Sequence, residues 1–152
     1  MKLNAQGPSG QVKIVQSADV REVPIGGYTV DADQGWTREL ISHAINGAPD
    51  LFVGLFRMEP GQFHPMHKHP NVGELYFILE GACEISVGEE TRLVSAGTAI
   101  YTPRDTAHSI RTTNQGVRVL VVFPQGDWSK VEKTWVGARA EQQPLQNQPE
   151  GD

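Results

Sequence analysis

The chain of 152 residues sets 13 Lys and Arg against 18 Asp and Glu, a formal charge of −5, so it has no basic surplus with which to hold a nucleic acid or an anionic membrane. Its length fits one domain with a real core, and 16 Gly with 10 Pro speak against a helix bundle. Cys83 is the single cysteine, which excludes an intramolecular disulfide and suits a reducing compartment. With no apolar leader in Met1-Lys2-Leu3-Asn4 and no run of membrane-spanning length, the expectation is a soluble cytoplasmic protein.

In chain order, residues 1–11 read as a flexible lead ending in Gly7-Pro8-Ser9-Gly10. Val12-Lys13-Ile14-Val15 alternates weakly, as an edge strand does, and an edge at residues 12–16 needs covering, which points to a homodimer. Pro24 to Gly35 is rich in turn formers, and Trp36 to Ile41 reads as a strand. From Leu51 the texture is uniformly β. Strands are expected over 51–58, 74–79, 82–87, 91–94, 99–102, 108–112 and 117–123, separated by short turns such as Glu59-Pro60-Gly61 and Glu80-Gly81. Such spacing implies a closed barrel or a sandwich. Gly126 to Val136 leaves room for one more strand or a short helix, and Gln142 to Asp152 has the composition of a disordered tail. The domain is therefore drawn over residues 12–137, with its barrel core at 51–123 and a flexible segment at 138–152.

Four of the five histidines fall on or beside expected strands. His67 and His69 are two apart, so on a strand their side chains leave the same face. Pro70-Asn71-Val72-Gly73 then turns the chain, and Glu74 opens the next strand toward the same space. His108 begins a later strand. Imidazoles with one carboxylate and open positions suit Fe(II), Mn, Co, Ni or Zn better than Ca or Mg. On spacing alone, histidines scattered by chance over the surface remain an equal alternative.

Here the residues resemble a known family. Gly61-x5-His67-x-His69-x4-Glu74-x6-Gly81 is similar to the first cupin motif, and Gly97-x5-Pro103 followed by His108 is similar to the second. Asp105 stands where the pattern has Gly, and Thr112 where it has Asn; Asp tolerates positive φ, and the Asn is not a metal ligand. The resemblance implies an all-β fold, the cupin double-stranded β-helix or jelly-roll barrel. It also implies one divalent transition metal ion on His67, His69, Glu74 and His108. His64 is read as a rim histidine behind the ligands, His43 as solvated, and Cys83 as packed in a strand.

Tyr76, two residues after Glu74, points inward on the same parity, as a core aromatic or as a group at the site. Trp36, Arg57, Tyr101 and Trp128 are candidates for holding a small-molecule substrate, whereas Arg111, at odd spacing from His108, should point outward. Residues 36–59 with Arg38-Glu39-Leu40-Ile41 and Leu51-Phe52-Val53-Gly54 resemble small cupin lyases acting on dimethylsulfoniopropionate. Glu74-Leu75-Tyr76 and Phe123-Pro124-x2-Asp127-Trp128 extend that likeness, which implies Tyr76 as the base that removes an α-proton. Two functions are carried forward. One is a metal-dependent enzyme on a small oxygen-bearing molecule, as an Fe(II) dioxygenase or a lyase of that type. The other is a non-catalytic binding or sensing cupin.

Overall fold

The computed structural model describes residues 10–25 and 33–137; the expected lead before residue 10 and the tail after 137 lie outside the described residues. The strands are β1 (Val23–Pro24), β2 (Trp36–Ile41), β3 (Phe52–Met58), β4 (Phe63–Lys68), β5 (Glu74–Val87), β6 (Glu90–Ser95), β7 (Ala99–Thr102), β8 (His108–Arg111), β9 (Val117–Phe123) and β10 (Thr134–Trp135). All pair antiparallel, in the order β1-β2-β3-β9-β5-β8-β4-β10, with β6 and β7 also on β5. The sheet curls into a half-barrel.

β5 makes the curl. The two strands expected over 74–79 and 82–87 are one continuous strand, whose first half pairs with β9 and β7 and whose second half pairs with β6 and β8. The chain bends between the halves at Gly81. Its φ is +79°, and a Cβ there would sit 1.9 Å from the Gly116 carbonyl oxygen, so any side chain both strains the backbone and collides with a neighbouring strand.

Alternation decides what is inside. Tyr76 and Ile78 on β5, and Val117, Val119, Val121 and Phe123 on β9, are buried, while Leu75, Phe77 and Leu79 face outward. Met58, Cys83, Ile85 and Ile110 join this core, each buried aliphatic side chain contributing about 1.5–3 kcal/mol. Cys83 is fully buried, and burial pushes its thiol up to about 11, which makes it a packing residue.

The two departures from the cupin motifs are absorbed locally. Asp105 adopts φ +60°, the left-handed turn that a glycine would take. Thr112 does the work of a turn amide: its hydroxyl donates to the Glu59 carbonyl at 2.6 Å and accepts from the Gln62 N–H at 2.8 Å.

One element is corrected. Residues 12–15 are not a strand; Val12 and Ile14 are 93% and 94% exposed, and the ladder begins only at β1. Four residues of weak alternation with no partner strand beside them gain nothing from the extended state. The Gly126–Val136 region holds both options, a 3-10 turn at Trp128–Lys130 and the short β10. His43 opens a single helical turn, α1 (His43–Asn46), and is exposed. No helix among the described residues is long and apolar enough to cross a membrane.

Candidate metal centre

β4 and β8 pair so that His67 lies directly opposite His108. His69 follows just past the end of β4, and Glu74 is the first residue of β5. All four side chains are buried: His67 is 4% exposed, His69 3%, Glu74 3% and His108 1%. One ring nitrogen from each of His67, His69 and His108 lies within 4.8 Å of the others. Glu74 sits between two of them, with Oε2 3.3 Å from His69 Nε2 and Oε1 3.6 Å from His108 Nε2.

The opposite ring nitrogens are already committed. Nδ1 of His67, His69 and His108 bonds the carbonyl of Pro65 (2.7 Å), Glu132 (2.8 Å) and Thr106 (2.9 Å) respectively. A carbonyl only accepts, so each Nδ1 must be the protonated nitrogen, and each Nε2 presents a lone pair to the shared centre. Burial holds His67 well below its ordinary value, with the charges of His108 and Lys133 adding to the effect. Burial likewise lowers His108, although the Glu74 carboxylate pulls the other way. Both rings are therefore neutral at pH 7. His108 Nε2 and Glu74 Oε1 are buried with no hydrogen-bond partner among the described residues. Buried polar atoms rarely stay unpaired, and neutral imidazoles around a carboxylate are the donor set of a transition-metal ion, so these residues fit one.

The centre opens into a cavity of about 390 Å³ lined by both apolar and polar side chains. Phe52, Phe56, Phe123, Trp128, Val131 and Ile25 form its apolar walls. Trp128, 45% exposed, packs on Phe52 and Phe123 with ring centroids 5.6 and 5.4 Å away. Tyr76 lines the cavity, is 2% exposed, and lies near the Glu74 carboxylate. Burial, then the charge of Glu74, raises its phenol well above the ordinary value. His64 also faces the cavity, and its Nε2 lies 2.9 Å from the Gln34 carbonyl. A register shift between His64 and His67 is what turns both inward despite their odd spacing.

Three of the substrate candidates lie elsewhere. Trp36 pairs with Arg57 on the outer face of β2 and β3, with the guanidinium 4.4 Å over the indole and in an ion pair with Glu22. Tyr101, 69% exposed, pairs with outward-facing Leu75. None of the three lines the cavity. In their place stand Asp33, Thr37, Glu39 and Lys133, which the sequence reading did not single out. Thr37 and Glu39 hold the parity opposite to Trp36 and Arg38, so β2 turns its polar residues inward. Alternation alone would have found them, had the large aromatic not been assigned to the interior. Asp33 is 9% exposed and pairs with Lys133; burial would raise its carboxyl, but the neighbouring His64 and Lys133 outweigh that and hold it below its ordinary value.

The fold defines a class that the comparisons share. The sequence profile of the Cupin_2 family, described as the cupin domain, matches residues 54–123, and the chain belongs to the cupin family. An uncharacterized protein of Streptomyces coelicolor is 35% identical over 74 residues, 49% of this chain and 70% of that one. The dimethylsulfoniopropionate lyase DddW of Ruegeria pomeroyi is 28% identical over 116 residues, 75% of each chain. Among solved structures, the polyketide cyclase RemF from Streptomyces resistomycificus superimposes with a TM-score of 0.69 at 25% identity, covering 85% of this chain and 89% of its own.

Proposed function

We propose that the chain is a metal-dependent enzyme acting on a small oxygen-bearing organic molecule, with His67, His69, Glu74 and His108 as ligands of one divalent transition metal ion. The observation that carries this reading is the set of three buried imidazoles, each bonded through Nδ1 and converging within 4.8 Å, with Glu74 beside the Nε2 atoms of His69 and His108. An ion bound there would polarise a carbonyl or carboxylate and acidify the adjoining proton. Tyr76 is the catalytic candidate at this edge of the cavity. It begins as a neutral phenol, so it donates or relays a proton with Glu74, and it becomes a base only beside a bound cation. Phe52, Phe56, Phe123 and Trp128 exclude water from the body of the substrate.

Proton transfer next to a metal-held oxygen covers the elimination named for DddW, and the likeness over 75% of both chains supports it. The test is purified protein reconstituted separately with Fe(II), Mn, Co, Ni and Zn. Dimethyl sulfide released from dimethylsulfoniopropionate is the result expected of a lyase. Oxygen uptake with iron alone would move the reading to a dioxygenase, and tight binding without turnover would move it to a non-catalytic binder.

We also propose a homodimer, now through a different surface from residues 12–16. Leu75, Phe77 and Leu79 line the outer face beside Tyr101, and Leu75 and Phe77 pair with Val122 and Leu120 of β9, which in turn pair with Val53 and Leu55 of β3. An exposed apolar strip of this kind is the core that an interface of about 800 Å² per partner needs. Light scattering of Phe77→Glu should report a monomer where the parent chain reports a dimer; a monomeric parent overturns the proposal. The lone buried thiol of Cys83 suits a cytoplasmic setting.

A further inference from the structure

The three imidazoles are not held alike. His67 Nδ1 bonds the Pro65 carbonyl and His108 Nδ1 the Thr106 carbonyl, each two residues back along the same stretch of chain. His69 lies past the end of β4, and its Nδ1 partner is the Glu132 carbonyl, 63 residues away. That carbonyl belongs to a strap that returns beside β4. Val136 N–H donates to the Met66 carbonyl, Trp135 pairs with His67, and Thr134 pairs with Lys68, where the β10–β4 ladder ends. Beyond that end Asn71 takes hold of the strap. Its amide donates from Nδ2 to the Lys130 carbonyl at 2.6 Å and accepts through Oδ1 from the Glu132 N–H at 3.0 Å. One planar group thus bridges Val131 from both sides, which needs a side chain that both donates and accepts. Val131 itself lines the cavity and packs on the core.

We propose that Asn71 is a positioning residue of the metal centre: by clasping residues 130–132 it holds the Glu132 carbonyl against His69 Nδ1 and so aims His69 Nε2. This rests on the metal-centre reading above. The chain of contacts is short. Asn71 Oδ1 fixes the Glu132 N–H, the carbonyl of that same residue fixes His69 Nδ1, and His69 Nε2 stands 3.3 Å from Glu74 Oε2. His69 and Asn71 are two residues apart in the chain, so the loop of bonds closes on itself. Asn71 and Glu132 are exposed, and water competes for both clasp bonds, so they add little to global stability. Their effect is directional. An imidazole whose outer nitrogen is held keeps the ring orientation and tautomer that a metal needs, and losing such support weakens a site by about tenfold to a hundredfold. His67 and His108 draw this support from their own stretches of chain; His69 draws it from the strap, and the clasp is what keeps the strap in place.

The test compares the parent with Asn71→Ala and two controls. Lys130→Ala removes an exposed side chain from the same turn and leaves its backbone carbonyl. Val94→Ala loosens the core from β6, a strand not paired with the strap. In a Co(II) titration followed by the visible absorption of the bound ion, Asn71→Ala should bind about tenfold or more weaker, with an altered band shape, and both controls should match the parent. Ring N–H exchange in isotope-labelled, Zn(II)-loaded protein reads the positioning directly. In Asn71→Ala the His69 Nδ1–H should exchange about tenfold or more faster, while those of His67 and His108 keep their parent rates. Parent-level affinity and parent-level His69 exchange in Asn71→Ala overturn the proposal. An equal loss in Val94→Ala overturns it too, because it marks a merely structural effect. Should Asn71→Ala fold poorly, the parent decides: His69 Nδ1–H and Glu132 N–H should report the same opening equilibrium, and unrelated openings overturn the proposal. A parent that takes up neither Co(II) nor Zn(II) overturns the metal-centre reading itself, and the role of Asn71 with it.

Discussion

The inner and outer faces of one sheet, β2-β3-β9-β5-β7, are built from the same strands and do opposite things. Inside, β5 presents Glu74 and Tyr76 and β2 presents Thr37 and Glu39, with Phe52, Phe56 and Phe123 between them. Outside, one residue along on each strand, lie Leu75, Phe77, Tyr101, Trp36 and Arg57. The large hydrophobic residues are not all inside, and the ionisable residues are not all outside. A sheet that must hold a polar site has to give some of its interior positions to polar side chains, and part of its apolar content then moves to the outer face. Parity along the strand, more than residue type, tells site from surface.

The largest effect that separates the faces is expected at the centre. Glu74→Ala or His108→Ala leaves two or three imidazoles without their common carboxylate or their opposing ring, and metal affinity should drop by on the order of a hundredfold or more. Metal content of the purified variants, measured by elemental analysis beside Leu75→Ala from the same strand, checks it. A Glu74→Ala protein as rich in metal as Leu75→Ala would break the assignment of β5's inner parity to the site.

Tyr76→Phe comes next. The change removes one hydroxyl beside Glu74 and keeps the ring in the core. Metal content should hold while turnover of any proton-transfer substrate falls by about a hundredfold, the scale of a lost general acid or base. Under the dioxygenase reading, oxygen uptake by the iron-loaded variant would survive, so a single variant separates the two chemistries.

Much of this was legible beforehand, for definite reasons. The clustering of the three buried imidazoles was legible in their spacing, because the β4–β8 register sets His67 opposite His108. Tyr76 followed from its parity with Glu74. Trp36, Arg57 and Tyr101 were drawn inward by their chemistry, since an aromatic or guanidinium suggests a ligand, yet register places each on the outer parity. Asp33, Thr37, Glu39 and Lys133 stayed hidden because their placement depends on which strand lies beside β3 and on the return of residues 128–135 across the cavity mouth. Both are long-range facts that local pattern does not carry. The edge strand expected at 12–15 failed for the same reason: pairing needs a neighbour, and the sequence does not name one.

A smaller and graded effect is expected from pH. His67 and His108 are both held below the ordinary histidine value of 6.5, chiefly by burial. The unfolded chain therefore binds more protons than the folded one once pH drops below about 6.5, and folding stability falls with it. The stability these two groups maintain is complete above that value and is lost as pH descends through their depressed folded-state values. Chelator-treated protein should melt progressively lower from pH 7 to pH 5. His67→Gln should flatten the slope, since it removes one of the two groups. Phe77→Ala removes no titrating group, so it should shift the whole curve without changing its slope.

The smallest effect is predicted for Trp36 and Arg57, and it sharpens the comparison most directly because both were natural candidates for substrate contact. Arg57 stacks on Trp36 and pairs with Glu22 and Glu59 at a surface where the guanidinium is 33% exposed. An exposed pair of this kind is worth about 0.2–1 kcal/mol, and an exposed cation–π contact about the same. Arg57→Gln should therefore lower stability by no more than about 1–2 kcal/mol. It should leave metal content, affinity for the metal chelator benzohydroxamate and turnover unchanged, because neither side chain reaches the cavity. Calorimetric titration of the metal-loaded variant is the decisive measurement, made at two salt concentrations since screening weakens a surface pair and not a buried site. Unaltered affinity with a modest, salt-sensitive fall in melting temperature fits the outer face as described. A tenfold loss of affinity would mean that the substrate extends past the rim of β2, and the boundary between the two faces would have to be redrawn there.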